Sequence, residues 1–409
     1  MIRWALWACV GALCAACAVD EVGEPPPDDA LYFPVGIAAH PDGRYLYITN
    51  AVFDRRYNAG TLMVYDTAER RVLPEATKRI GLFAGELVIG QPGGAVRGFT
   101  VTRDTYKSES VTSRLLQVDI NAAAGDAADH LTIGTVDSFA GRTFETNPYG
   151  LSLTGEDLVV THADRGVLSR WSVADTGLPV FRCSVNLANG ATAVARHPVL
   201  GWWYVSDRFE REVQVVAEFP RLLRSPDVGG LVNAQDCQLS PQRAVTVYPY
   251  DGGGRTRGLA FSADGSLLYV ANSSEGALRI FDTTVRGSGT PRNALIASIP
   301  LGGTPDTVRV AGCRPGECAG IAPDSVEALG GGLVYVTLFD DDRVVVVDPT
   351  TLSPVARIET GQGPHDLAFM LDAGGTLRGY ATLFNDHALA VFDLDPRSTS
   401  RFTLTATVP

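Results

Sequence analysis

The chain has 409 residues and a mass of 43.5 kDa, which is long enough to bury a large core without metals or disulfides. Its 45% hydrophobic and 20% charged residues exclude a mainly disordered chain. With 34 basic against 46 acidic residues the net charge is −12. A protein that follows a phosphate backbone needs a basic face, so we expect no nucleic-acid partner.

The first residues have the pattern of an export signal. Residues 1–17 read MIRWALWACVGALCAAC, in which a positive start precedes an apolar run of about ten residues, too short to cross a bilayer as a helix. The run ends in Leu-Cys-Ala-Ala-Cys, which resembles the lipobox of bacterial lipoproteins and predicts lipidation of Cys17. The alternative is an ordinary signal peptide cut near Ala18.

Residues 18–30, AVDEVGEPPPDDA, are acidic and rich in proline. Such a stretch cannot bury enough apolar surface to fold, so it predicts an extended tether. The remainder, residues 31–409, is then one exported domain, attached to a membrane through its N-terminal lipid. Alanine directly after Cys17 favours the outer membrane of a Gram-negative cell, facing the periplasm or the cell surface.

The cysteine count agrees with export. Removing Cys9 and Cys14 with the signal, and Cys17 with the lipid, leaves an even set: Cys183, Cys237, Cys313 and Cys318. An even number in an exported chain favours disulfides, and three pairings are open. We favour Cys313–Cys318, which closes a short loop, together with Cys183–Cys237. Neither a C-x2-C zinc pattern nor a C-x-x-C-H haem attachment site occurs.

A repeated unit predicts the fold class. LLYVAN from Leu267 leads through a turn to ALRIFD, LVYVTL from Leu333 leads to VVVVD, and GYATLF from Gly379 leads to ALAVFD. Four weaker copies give seven in all, with the corresponding aromatic or valine residue at Tyr47, Phe99, Val159, Tyr204, Tyr269, Tyr335 and Tyr380. A short strand precedes and another follows most copies, so each unit has four strands. Such units bury both faces only when arranged radially, which predicts an all-β, seven-bladed β-propeller.

The repeats also support a family resemblance. LYITN, LYVAN and VYVTL, each followed by a hairpin and a strand ending in aspartate, resemble the YVTN-repeat group of seven-bladed propellers over about residues 31–408. The resemblance implies the fold but no single function, because related propellers include lactonase-like enzymes, haem-d1 subunits, surface-layer proteins and lipoproteins. We expect a monomer.

The funnel mouth of a propeller is the expected site, because loops from all blades converge there. Residues that precede innermost strands or lie in neighbouring hairpins are therefore the candidate ligand-binding residues: His365, Asp366, Asp306, Arg257, Tyr149, His162, Asp207 and Asp340. A histidine beside carboxylates could hold a metal or transfer protons. The sequence Gly-x-Gly-Pro-His-Asp around His365 is equally typical of a turn. No metal-binding loop motif occurs, so we expect no cofactor, with a metal in the funnel as the alternative.

The motifs of common enzymes are missing as well. The sequence contains no GxSxG, P-loop or HExxH pattern, so no catalytic residue is assigned and an enzyme is not the favoured interpretation. The favoured function is a binding or protein-interaction module of the cell envelope, with a protein or small molecule at the funnel face. The alternatives are a lactonase-like hydrolase or lyase acting in the funnel, and an electron-transfer partner of a haem protein.

Overall fold

The computed structural model describes residues 23–104, 112–136, 138–139, 142–143, 147–173, 177–218, 239–241, 245–246, 255–311, 332–372 and 374–409. Regular structure in these ranges is almost entirely β. The helices found there are four single 3-10 turns: Pro74–Ala76, Pro92–Gly94, Ala127–Asp129 and Phe339–Asp341. None of the helices in the described ranges is long and apolar enough to cross a membrane.

Seven antiparallel sheets of at least four strands follow one another along the chain, and we number their strands outward from the axis. Blade one consists of Pro34–Ala39, Tyr45–Asn50, Gly60–Asp66 and Arg71–Val72, with Lys78–Ile80 also paired to the third strand. Blade two consists of Ala84–Gly90, Arg97–Asp104, Thr112–Ile120 and Leu131–Val136, and a small hairpin, Ser138–Phe139 with Arg142–Thr143, follows it. Blade three consists of Pro148–Thr154, Asp157–His162, Val167–Ser172 and Val180–Asn186.

The remaining four blades repeat this plan. Blade four consists of Ala191–Arg196, Trp203–Asp207, Glu212–Glu218 and Leu239–Pro241, with Val245–Thr246 also paired to the third strand. Blade five consists of Thr256–Phe261, Leu267–Asn272, Ala277–Asp282 and Ala294–Pro300. Blade six consists of Pro305–Ala311, Leu333–Leu338, Arg343–Asp348 and Ser353–Glu359, and blade seven of Pro364–Leu371, Leu377–Leu383, Ala388–Asp393 and Thr403–Val408.

The blades form a closed ring. The first strand of each blade contacts the first strands of both neighbouring blades, and the first strands of blades seven and one contact each other in the same way. The seven innermost strands therefore surround a common axis. This arrangement confirms the prediction of an all-β, seven-bladed β-propeller.

The core lies between the blades and not within them. Seven buried apolar clusters occur in the described residues, one at each interface between neighbouring blades. Successive side chains of a strand point to opposite faces, so Tyr47 packs towards blade two while Leu46 and Ile48 pack towards blade seven. The repeated aromatic or valine positions of the sequence are all buried at such interfaces. The alternation in YLYITN is thus the alternation between two neighbouring blades.

In the part of the chain that the structure describes, the ring closes without exchange of strands. All strands of blade one come from the start of the described chain, and all strands of blade seven come from its end. The fourth strand of blade seven is Thr403–Val408. Leu31 and Tyr32 do not extend a sheet; they are buried in the apolar cluster between blades one and seven.

Several predictions concern residues outside the described ranges: the signal, Cys17, Cys237, Cys313 and Cys318. Of the expected tether, residues 23–30 are described, and they contact blade one. The Glu24 amide donates to the Arg56 carbonyl at 3.0 Å, and the Thr77 hydroxyl donates to the Asp28 carbonyl at 2.9 Å. Residues 23–30 thus form hydrogen bonds with blade one. That residues 18–30 act as an extended tether stays a prediction.

Candidate functional site

A cavity opens on the axis where the seven innermost strands begin. It encloses about 600 Å³, counting the space at its open mouth. The second residue of every first strand lines it: Val35, Gly85, Tyr149, Thr192, Arg257, Asp306 and His365. Because the blades are arranged radially, one strand position converges on the axis from seven sides.

A repeated irregularity brings these residues to the axis. In every blade the register between the first and second strands shifts within the first four residues of the first strand. In blade one the Thr49 hydroxyl lies where the register shifts. It accepts a hydrogen bond from the Gly36 amide at 3.0 Å and donates one to the Gly85 carbonyl of blade two at 3.0 Å. Gly36 has to be small here, since a Cβ would lie 2.8 Å from that carbonyl.

The same hydroxyl bond recurs around the ring. Thr161, Ser206, Thr337 and Thr382 each accept from an amide in the shifted part of their own first strand, at 2.9 Å. At each of these register shifts, a hydroxyl group accepts a hydrogen bond from a first-strand amide in place of the regular bond between strands. These bonds hold the first strands in place and so position the side chains that line the funnel.

His365 is oriented by a backbone carbonyl. Its Nδ1 lies 2.8 Å from the Val35 carbonyl oxygen, and because a carbonyl can only accept, Nδ1 carries the hydrogen of this bond. In the neutral ring Nε2 is therefore an acceptor, and it lies 3.9 Å from Oδ2 of Asp306. Two acceptors facing each other leave a place for a hydrogen-bond donor, such as a water or a ligand hydroxyl.

Two arginines line the same cavity with different partners. Arg257 forms an ion pair with Asp306, Nη1 to Oδ1, at 3.4 Å. Arg103 lies over the ring of Tyr149 at 5.1 Å and donates from Nη1 to Oδ1 of Asn147 at 3.3 Å. Its Nε is buried and has no hydrogen-bond partner among the described residues. Burial lowers the pKa of Arg103, as expected for a cation with little compensating charge nearby.

Three charged side chains cross the channel beside the cavity. Arg309 donates to Oδ1 of Asp366 at 2.7 Å and lies 3.7 Å from Oε1 of Glu86, which itself lines the cavity. Oδ2 of Asp366 accepts from the Ile37 amide at 3.3 Å. Burial raises the pKa of Glu86, and the Arg309 guanidinium only partly offsets this effect. The channel is therefore spanned by ionic groups at this level and is not a plain water-filled bore.

The structure gathers half of the predicted site residues directly around the cavity. His365, Asp306, Arg257 and Tyr149 line it, and Asp366 lies next to it through its contact with Arg309. Burial raises the pKa of Tyr149, so its hydroxyl remains protonated at neutral pH.

The other three predicted residues do not line the cavity, for local reasons. His162 is buried at the end of its strand, where Nε2 lies 2.9 Å from the Ser169 hydroxyl. Asp207 is buried and accepts from the amides of Phe209 and Glu210 at 2.9 and 3.0 Å, as a turn cap does. Asp340 is exposed in a 3-10 turn. All three positions were inferred from hairpins, and of the three Asp207 caps a turn.

Glu86, Arg103 and Arg309 were missed by sequence reasoning. The first strand of blade two starts at Ala84, so Glu86 is its third residue, equivalent to Asp366. Arg309 is the fifth residue of its strand, a position occupied by alanine in four other blades: Ala38, Ala195, Ala260 and Ala368. An alignment of the first strands would have shown a charge at a position where these four blades have alanine.

Metal coordination gains no support from the geometry. No group of three or more histidine, cysteine, aspartate or glutamate side chains in the described part of the chain is arranged to hold a metal ion.

Comparisons with known proteins support the fold. No family model and no curated protein sequence matches the chain. Solved structures do match: a candidate 6-phosphogluconolactonase of Bacteroides fragilis, 13% identical with a TM-score of 0.59, covers 90% of this chain and 94% of its own. A periplasmic gluconolactonase of Pseudomonas aeruginosa is 18% identical with a TM-score of 0.56, covering 93% and 96%. Hydrazine synthase of Kuenenia stuttgartiensis is 14% identical with a TM-score of 0.58, covering 93% and 99%. At these identities the likeness concerns the fold alone, and the chain is a seven-bladed β-propeller with a cavity on its axis that both polar and apolar side chains line.

Proposed function

We propose that the protein is a binding module whose funnel takes a small anionic ligand, and that Arg103 is the group that binds it. The observation that carries this proposal is Arg103, which lines the cavity and whose buried Nε has no hydrogen-bond partner among the described residues. An unpaired donor of a buried cation is unfavourable, and a carboxylate or phosphate oxygen would satisfy it.

Two neighbouring groups can add contacts to such a ligand. Arg257 has its charge shared with Asp306 and can contribute a second donor. The acceptor pair formed by His365 Nε2 and Asp306 is suited to a hydroxyl or amide hydrogen on the ligand. These groups are recessed on the axis, so a small molecule can reach them more readily than a folded protein partner can.

The experiment is a titration of the protein with acetate, benzoate and inorganic phosphate, followed by ligand-observed NMR and by thermal shift. Arg103→Gln removes the charge, and we expect it to weaken binding about tenfold or more, as for loss of a charged hydrogen bond. Arg71→Gln, at an exposed arginine paired with Glu69, is the control for net charge and should bind as the parent does. Equal binding by all three proteins, or no binding of any anion, would overturn the proposal.

A second candidate, hydrolysis of a lactone, is favoured by the orientation of His365. In this reaction a water gives a proton to Nε2 as its oxygen attacks the lactone carbonyl, the ring carbon–oxygen bond breaks, and the ring oxygen takes the proton. Arg103 and Arg257 would stabilise the negative charge on the carbonyl oxygen. The names of two similar structures, gluconolactonases at low identity, give this candidate weak support. Acid release from gluconolactone that is unchanged by His365→Ala would exclude it.

The cellular setting is also a proposal. We infer from LYITN, LYVAN and VYVTL that the chain belongs with the YVTN-repeat propellers, and from residues 1–17 that it is a lipoprotein of the outer membrane. In a Gram-negative host, Cys17→Ala should move the protein from the membrane fraction to the soluble fraction. A variant that stays with the outer membrane would contradict lipidation at Cys17.

A further inference from the structure

Five phenylalanines cluster at the mouth of the funnel, and we call them the aromatic rim: Phe33, Phe53, Phe83, Phe339 and Phe384. Phe53 lies at its centre, with ring centroids 5.0 Å from Phe384, 5.4 Å from Phe83 and 6.1 Å from Phe33. The imidazole of His365 stacks on Phe384 at 6.3 Å, which joins the rim to the polar part of the site.

The rim borders the cavity, and Phe384 also packs against the apolar cluster between blades one and two. Phe53 and Phe384 both line the cavity, and Phe53 is 45% exposed although three other aromatic rings surround it. The inter-blade clusters that form the core do not include Phe53. An apolar ring left open inside a concave site is a feature of ligand pockets.

The larger apolar side chains of the cavity and its two arginines come from different blades. Val35, Phe53 and Phe384 come from blades seven and one, whereas Arg103 comes from the adjacent blade two and Arg257 from blade five. A ligand that contacts both sets carries an apolar surface and a negative charge. Aromatic rings associate best with another ring at 4.5–7 Å, the spacing already present within the rim.

We infer that the ligand is an aromatic carboxylate, with its ring against Phe53 and Phe384 and its carboxylate on Arg103. This inference rests on the proposed anion-binding function and adds the chemical class of the ligand. A polyhydroxylated sugar acid fits less well, because it lacks the apolar ring that Phe53 and Phe384 would contact.

The test compares benzoate with two matched probes: gluconate, which keeps the carboxylate but lacks the ring, and benzamide, which keeps the ring but lacks the charge. Binding is measured by ligand-observed NMR with the full mature protein. Benzoate should bind about tenfold more tightly than either probe, since each lacks one of the two contacts.

Two variants assign the contacts. Phe53→Ala should weaken benzoate about fivefold and leave acetate unchanged, because only the ring contact is lost. Phe209→Ala is the control, since Phe209 is exposed in a blade-four hairpin and does not line the cavity. The folded state of each variant is checked by its thermal midpoint and circular dichroism.

The two proposals fail in different ways. Acetate binding that needs Arg103, with benzoate no tighter than gluconate or unaffected by Phe53→Ala, would overturn the aromatic ligand and leave anion binding intact. Gluconate binding more tightly than benzoate would overturn it as well and would favour the lactone-hydrolase candidate. No binding of any anion would overturn both.

Discussion

The backbone amide of Phe33 donates to Nδ1 of His387 at 2.9 Å, and this bond joins the segment before blade one to a hairpin of blade seven. Two further bonds cross the same interface, from His365 Nδ1 to the Val35 carbonyl at 2.8 Å and from the Ile37 amide to Asp366 at 3.3 Å. No strand is exchanged among the described residues, and side chains of blade seven bond to the backbone of blade one and of the segment before it at this interface.

The contact of His387 with Phe33 should therefore contribute to stability. His387→Ala leaves the Phe33 amide without its acceptor, so we expect the free energy of unfolding to fall by about 1–3 kcal/mol. His387 also has a left-handed backbone, with φ of 54°, which asparagine tolerates well. His387→Asn supplies an acceptor and fits this backbone, so it should lose less than His387→Ala in urea unfolding. Equal losses in both variants would contradict the role of the acceptor.

A second prediction concerns the contribution to stability of the Thr49 hydroxyl, which bridges the first strands of blades one and two. Thr49→Val removes the acceptor for Gly36 and the donor for Gly85 without changing side-chain volume, so we expect a loss of about 1–3 kcal/mol. Val101 occupies the equivalent position of blade two, so valine fits there without steric conflict. Thr49→Ser keeps the hydroxyl and is the control. A variant with valine as stable as the parent would show that the bridge contributes nothing.

The pH dependence of stability can be predicted at Asp66. Burial alone would raise the pKa of Asp66, but the Arg44 guanidinium and the amides of Glu69 and Ala68 lower it below the ordinary value of 3.8. A folded-state pKa below the unfolded value gives stability that is fully present above the unfolded pKa and is lost as the pH falls through the folded pKa.

Asp66→Asn should therefore destabilise the protein by about 2 kcal/mol at pH 7, because it weakens hydrogen bonds to a charged group. The difference from the parent should shrink below pH 3.8, where the parent carboxylate also takes up a proton. Urea unfolding of both proteins at pH 7 and at decreasing pH measures this. A difference that stays constant with pH would contradict the assigned role of the charge.

The contact between two strands is compatible with the predicted disulfide between Cys183 and Cys237. Cys183 is buried in the fourth strand of blade three, and that strand contacts Leu239–Pro241, which begins two residues after Cys237. Non-reducing peptide mapping should recover Cys183 linked to Cys237 and Cys313 linked to Cys318. Free thiols, or a link from Cys183 to Cys313, would contradict this pairing.

Much of the fold was predictable because it repeats. The alternation around Tyr47, Tyr269 and Tyr335 is dictated by two apolar interfaces per blade, so each repeat carries the same pattern in its own sequence. The site was only partly predictable, because residues such as Arg103 and Glu86 depend on convergence of blades far apart in the chain. His365 and Asp306 were found because they directly precede regular strand patterns. The aromatic rim has no sequence signal, since its members come from turns of four different blades.

The most direct test of the funnel site is a crystal structure of the protein soaked with 4-bromobenzoate, in which the anomalous signal of bromine locates the ligand. Our account predicts one bromine position beside Phe53 and Phe384, with the carboxylate within hydrogen-bonding distance of the Arg103 guanidinium. A bromine bound elsewhere, or an empty funnel at a concentration that saturates binding in solution, would contradict it.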